Sequence, residues 1–139
     1  MKSIYSVFFL VFALWSCHDV KVGYLKADNA EYDPTSIVVR KELDPEEDEL
    51  RIMNDANWVS PKIQGVLGTN PLNYELVNVT ATEGGDAEAF KQEVVVRGGG
   101  IMELPLHTKV PKGHYLVSLR VYNEDYSAEL KNAFTFIVE

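Results

Sequence analysis

The clearest pattern in the chain is an alternation over 113–122. Tyr115, Val117, Leu119 and Val121 fall on one face of an extended strand, and His114, Leu116, Ser118, Arg120 and Tyr122 fall on the other. Similar patterns flank it. A Val-rich run at 92–97 and the alternating Met102, Leu104 and Leu106 predict two strands, with Gly98-Gly99-Gly100 giving the backbone freedom for a hairpin between them. Phe134, Phe136 and Val138 point one way along a last strand at 132–139, after a loop at Asn123-Glu124-Asp125. Residues 72–81 alternate, with apolar side chains on both faces. The β-branched run from Ile37 to about residue 43 predicts the first firm strand. A further strand is expected at 58–66, kept near an edge or a bend by Pro61. Turn chemistry falls at 33–36, 68–71, 83–86 and 110–113. About seven strands with a turn every 8–12 residues or so predict an all-β chain, a single antiparallel β-sandwich over 36–139.

Two short helical segments interrupt the strands. Asp44-Pro45-Glu46-Glu47 is a helix-start signature: Asp44 caps, Pro45 suits the first helical position, and acidic side chains favour the positive end of the dipole. Asp86 is placed to cap one turn over 86–90. Glu42, Asp44, Glu46, Glu47, Asp48 and Glu49 crowd together, but not at the spacing of an EF-hand loop. A capped, solvated helix is the expectation there, and a cation site is the alternative.

The first residues follow another rule. Lys2 is followed by an almost unbroken apolar run from Ile4 to Trp15. At ~1.5 Å per residue it is too short to span a bilayer core of ~30 Å, and it has the length of a secretory signal. Ser16 then precedes the only cysteine, Cys17. Leu14 to Cys17 resembles a bacterial lipobox, which implies a diacylglycerol on the Cys17 thiol and cleavage before it. Lipidation also accounts for a cysteine with no partner in the chain. An ordinary signal with an incidental cysteine, or an uncleaved anchor, is the alternative. The chain thus divides into a signal peptide at 1–16, the lipidated cysteine and a tether at 17–35, and the domain at 36–139.

Without Lys2 the mature chain keeps 12 basic against 21 acidic residues, a formal charge of −9. That argues against nucleic acid as a partner, since phosphates meet no basic patch. It also argues against docking on anionic headgroups through the folded domain. Little in the sequence points to catalysis. The three histidines are scattered: His18 adjoins the anchor, while His107 and His114 flank a turn and read as surface residues, with a metal pair across the turn as the alternative. No Gly-x-Ser-x-Gly elbow is present, and no lysine follows the glycine triplet as a phosphate loop requires. The expectation is a non-enzyme without cofactor or metal. For a sugar ligand, flat aromatic rings beside polar groups are the features to seek. Tyr122 is the first candidate, with Arg120 near it on the same face, followed by Trp58 and Tyr126. An outward tyrosine on a strand also serves simply to cover a neighbour.

Gly113 to Leu119 resembles the sixth strand of an immunoglobulin-like fold. The resemblance makes Tyr115 the corner tyrosine whose hydroxyl bonds back to the backbone, with Val117 where antibody domains place a cysteine. Pro71-Leu72-Asn73-Tyr74, Gly100-Ile101-Met102-Glu103-Leu104, Val121-Tyr122-Asn123-Glu124-Asp125 and Asn132-Ala133-Phe134 are similar to cadherin-like domains. That likeness sets Asp125 at the place of a calcium-binding aspartate, although this chain lacks the other acidic motifs of such a site. Signal included, the chain resembles small Bacteroidetes surface lipoproteins found with outer-membrane glycan-uptake machinery. This implies lipid attachment to the outer membrane, surface exposure, and a glycan or an outer-membrane protein complex as partner. The alternative is a structural adaptor or spacer that holds proteins together at the envelope. Binding predicts exposed aromatics beside polar groups in a groove, whereas an adaptor predicts a flat apolar patch.

Overall fold

The computed structural model describes residues 20–139. The expected signal peptide and the expected lipid site at Cys17 lie outside the described residues. In chain order the elements are β1 (Leu25–Lys26), β2 (Ser36–Val39), α1 (Glu49–Met53), β3 (Trp58–Val59), β4 (Leu67–Gly68), β5 (Asn73–Ala81), α2 (Ala87–Glu93), β6 (Val95–Val96), a 3-10 turn (Gly98–Gly100), β7 (Met102–Leu104), β8 (Gly113–Tyr122) and β9 (Ser127–Val138). The chain is mostly β. Nine strands occur among the described residues where the pattern predicts about seven, and four of the nine are only two residues long.

The largest sheet has the order β2-β9-β8-β5. β8 and β9 form a long hairpin, and β5 pairs antiparallel with the other side of β8. β2 departs from the expected all-antiparallel arrangement, because Ser36 to Val39 run parallel to Thr135 to Val138. The first and last strands of this sheet are joined by most of the chain, so no hairpin constrains their direction. The second sheet, β3-β7-β6, includes the expected hairpin. Gly99 and Gly100 both take φ +74°, a backbone state that favours glycine. The third sheet pairs β1 with β4.

One core joins these layers. Trp58, Met102 and Leu104 from the three-stranded sheet pack in the same cluster as Val39, Val79, Val117, Leu119, Phe134 and Phe136 from the four-stranded one. The alternation in β8 holds: Tyr115, Val117, Leu119 and Val121 are all fully buried. Phe90 on α2 stacks on Tyr115 with centroids 4.9 Å apart and tilts against Phe136 at 5.2 Å.

Several boundaries differ from expectation for local reasons. The expected strand at 58–66 shrinks to β3, because Pro61 offers no donor; beyond it Gln64 makes an isolated bridge to Glu31. α2 runs through Glu93 and takes the start of the expected 92–97 strand. Asp86 Oδ1 accepts from the N–H groups of Glu88 and Ala89, and Ala, Glu, Lys and Gln continue the helix well. Asp44 Oδ1 accepts from Glu46 and Glu47, but only a turn follows, and the helix itself begins at Glu49. β9 starts five residues before the expected 132, in a stretch whose Ala, Glu and Lys have low strand propensity. The register slips there between Val117 and Leu119, and Ser118 Oγ accepts from Asn132 N–H at 2.9 Å where Asn132 turns to φ +47°.

The stretch expected to be a tether is packed down along much of its length. Tyr32 is buried against Phe134 and donates to Gly100 O at 2.5 Å. Upstream, Val22 N–H donates to Asp125 Oδ2 at 2.8 Å and Tyr24 N–H to Thr69 Oγ1 at 3.1 Å. The folded part therefore reaches back from residue 36 to Val22.

Candidate functional site

Three of the four expected ligand contacts meet at one end of the β8–β9 hairpin. Arg120 and Tyr122 close β8, Tyr126 precedes β9, and together they line an open groove of about 770 Å3. Lys21, Pro71, Asn73 and the turn 123–127 complete its walls. The sheet register explains the gathering. Asn73, Tyr122 and Ser127 are partners across three adjacent strands, and Glu75, Arg120 and Glu129 form the next such row. Partners across an antiparallel ladder share a face, so the two rows make a polar outer surface opposite the core.

Trp58 is not brought to this place. It is 2% exposed, packs in the core, and donates Nε1–H to Leu106 O at 3.2 Å. The Arg51 guanidinium lies 4.1 Å from its ring centroid, which uses what remains of its surface for a structural cation–π contact. Trp58 is thus a packing residue, and sequence periodicity over so short a strand does not reveal which way it points.

Each tyrosine of the groove carries a cation. The Arg120 guanidinium sits 4.5 Å from the Tyr122 centroid, and Lys21 Nζ sits 5.2 Å from that of Tyr126. Arg120 Nε also lies 2.6 Å from Glu75 Oε1, without its N–H aimed along that line, so the pair is a close ion contact rather than a directed hydrogen bond.

The residue that shapes the groove is Asn123. Its side chain is buried and uses both ends. Nδ2 donates to Tyr24 O at 2.9 Å and to Thr69 O at 3.2 Å, while Oδ1 accepts from Tyr126 N–H at 3.0 Å and Asp125 N–H at 3.3 Å. Asn123 therefore holds the hairpin turn, the N-terminal segment and the β4–β5 connection in one arrangement. The sequence places Asn123 in a loop and in the cadherin-like stretch without giving it this role, although an asparagine bonding its own backbone a few residues on is a familiar turn device. Lys21 was also missed, since its segment reads as polar and weakly patterned, with at most a short edge strand at 20–24. Asp125 is taken up by Val22 N–H, and among the described residues no three His, Cys, Asp or Glu side chains converge as a metal site would need.

The opposite end of β8 is closed by hydrogen bonds. There Tyr115 Oη donates to Pro111 O at 2.6 Å and accepts from Asp86 N–H at 3.1 Å. Tyr32 is likewise internal, and burial raises its phenol well above the ordinary value.

No protein-family model and no curated protein matches the chain. Among solved structures it is similar to a SusE-like surface located polysaccharide binding protein from the Bacteroides thetaiotaomicron heparin utilisation locus. Identity is 17% and the TM-score 0.53, with 85% of this chain matched to 15% of that one. The chain therefore spans a small part of that protein's length, and at this identity the likeness is one of fold.

Proposed function

We propose that this chain is a non-enzymatic surface lipoprotein whose immunoglobulin-like β-sandwich binds a glycan as an accessory of an outer-membrane nutrient uptake system. The observation that carries the reading is the groove itself: Tyr122 and Tyr126 stand beside Asn73, Arg120 and Lys21 on a hairpin end fixed by Asn123. Amphipathic rings with a few convergent polar groups suit a sugar chain, which offers apolar ring faces and hydroxyls together. The fold likeness to a polysaccharide-binding protein supports the same reading. The Tyr115 hydrogen bond to Pro111 O, a few residues upstream, supports the immunoglobulin-like one. Cys17 is the proposed lipid attachment point.

The test is native gel electrophoresis of the full chain in detergent through gels containing single polysaccharides. Retardation by at least one is expected, and replacing Tyr122 and Tyr126 together with Ala should weaken it about tenfold or more, or ~1.4 kcal/mol. Unchanged retardation in that double variant would sink the groove as the site. Cys17→Ala should move the protein from the membrane fraction to the soluble one, and continued fractionation with membranes would remove the anchor. One observation favours the adaptor alternative: α1 buries none of its residues and leaves Leu50 and Met53 each 72% exposed. An adaptor predicts that Leu50→Lys with Met53→Lys abolishes co-purification with an envelope protein and leaves gel retardation intact.

A further inference from the structure

The groove's charges point to a class of glycan. Two cations line it, Lys21 and Arg120, and two carboxylates, Glu124 and Asp125. Both cations are already engaged. Arg120 lies against Glu75 and over Tyr122, and its partner on the next strand is Glu129; Lys21 lies over Tyr126. Counting the two glutamates of the Arg120 row, the neighbourhood holds four carboxylates against two cations, on a chain that is acidic as a whole. Opposed charges at such short range interact more strongly than free ions in solution, because the groove walls displace part of the screening solvent.

Hydrogen-bonding capacity leads the same way. Lys21, Arg120 and the Asn73 amide donate, Glu124 and Asp125 accept, and the tyrosine hydroxyls do both. A sugar hydroxyl also does both, so an uncharged chain can satisfy both kinds of group. A sulfate or carboxylate only accepts. It would set a like charge beside the exposed Glu124, and like charges brought together are unfavourable.

Resting on the glycan reading above, we infer that the groove selects an uncharged polysaccharide and rejects polyanionic ones such as sulfated or uronic-acid chains. This separates the chain from what the locus of its structural neighbour would suggest.

The test uses the full chain in detergent, with laminarin, dextran, galactomannan and glycogen as uncharged probes and heparin, chondroitin sulfate and polygalacturonate as charged ones. At least one uncharged probe should bind, with each polyanion about tenfold weaker or more. Uncharged binding should change less than about twofold between ~0.05 and ~0.5 M salt, since no charge is neutralised. Glu124→Lys should raise heparin binding at low salt. Heparin or chondroitin sulfate binding the native chain more tightly than every uncharged probe, and weakening steeply with salt, would overturn the charge class while keeping a glycan site. No binding by any of the seven would remove the glycan reading and this inference with it.

Discussion

Tyr115 and Tyr122 stand on the same strand, one near each end, and their surroundings are opposite in kind. Around Tyr115 the polar groups are bonded to one another. Its hydroxyl donates to Pro111 O and accepts from Asp86 N–H, Thr82 Oγ1 accepts from His114 N–H, and Phe90 stacks flat on the ring. Around Tyr122 the polar groups surround an opening. One residue type on one strand thus closes the core at one end and lines a groove at the other. Strand phase separates the two, since the odd positions 115–121 are buried and Tyr122 falls on the opposite face. The Tyr115 end belongs to the core, and the Tyr122 end presents an outer face that can vary without loss of the core.

The largest expected effect belongs to the closed end. Phe90→Ala removes the ring that touches both Tyr115 and Phe136 and leaves a cavity in a close-packed core. Stability in urea should fall by about 3–5 kcal/mol. If it falls by no more than a surface substitution would, Phe90 does not anchor α2 on the four-stranded sheet and the contrast between the ends collapses.

Next is the one place where the open end depends on a buried group. Asn123→Ala strips acceptors from two turn N–H groups and donors from two carbonyls. A loss of about 2–3 kcal/mol is expected, because buried partners are left unpaired. Any glycan retardation should weaken with it, since the N-terminal wall of the groove is released. Full stability with altered binding would make Asn123 a contact rather than a support.

What the sequence disclosed follows this division. Alternation is strong where a strand is long and half-buried, so β5, β8 and the end of β9 were legible, and so was the outward placing of Arg120 and Tyr122. The two-residue strands were not, because two positions carry no period. Trp58 shows the cost: its size suggested a sugar platform, while its direction depends on pairing with Leu104 across β7. The parallel β2–β9 pair was hidden for another reason, since strand direction at a long connection is set by packing of distant segments. Lys21 and Asn123 were obscured because their roles are made by segments about a hundred residues apart, as in the Asn123 bond to Tyr24 O.

Smaller effects refine the closed end. Tyr115→Phe keeps the stacked ring and deletes only the hydroxyl, so a loss of about 1–2 kcal/mol is expected from one bonded hydroxyl and one orphaned Asp86 N–H. No loss by urea denaturation would argue against the corner assignment. The same end carries an acid-sensitive pair. Arg40 donates to the buried Asp48 carboxylate through Nε at 2.9 Å and also through Nη2, and this holds the Asp48 carboxyl down from 3.8 to about 2. A carboxyl depressed on folding stabilises the folded state above its unfolded value, and that contribution is lost as pH falls through the folded one. The stability gap between the native chain and Asp48→Asn should therefore be constant above about pH 4 and narrow as pH falls toward 2. A gap that does not change over that window would show that Arg40 does not depress Asp48.

The smallest effect is expected at the open end, and it tests the comparison most directly. Glu75 and Arg120 are both more than two-fifths exposed, so their ion contact is worth under about 1 kcal/mol, and Glu75→Gln should leave the urea midpoint almost unchanged. Its consequence belongs to binding. With Glu75 neutral, Arg120 keeps its charge and loses its nearest carboxylate, so the groove becomes less hostile to anions while its tyrosines and Asn73 remain. The variant should bind heparin more tightly than the native chain at low salt and bind an uncharged polysaccharide as before. A marked loss of stability instead would mean that the row across β5, β8 and β9 holds the sheet together, and that the polar face around Tyr122 is as structural as the closed end around Tyr115.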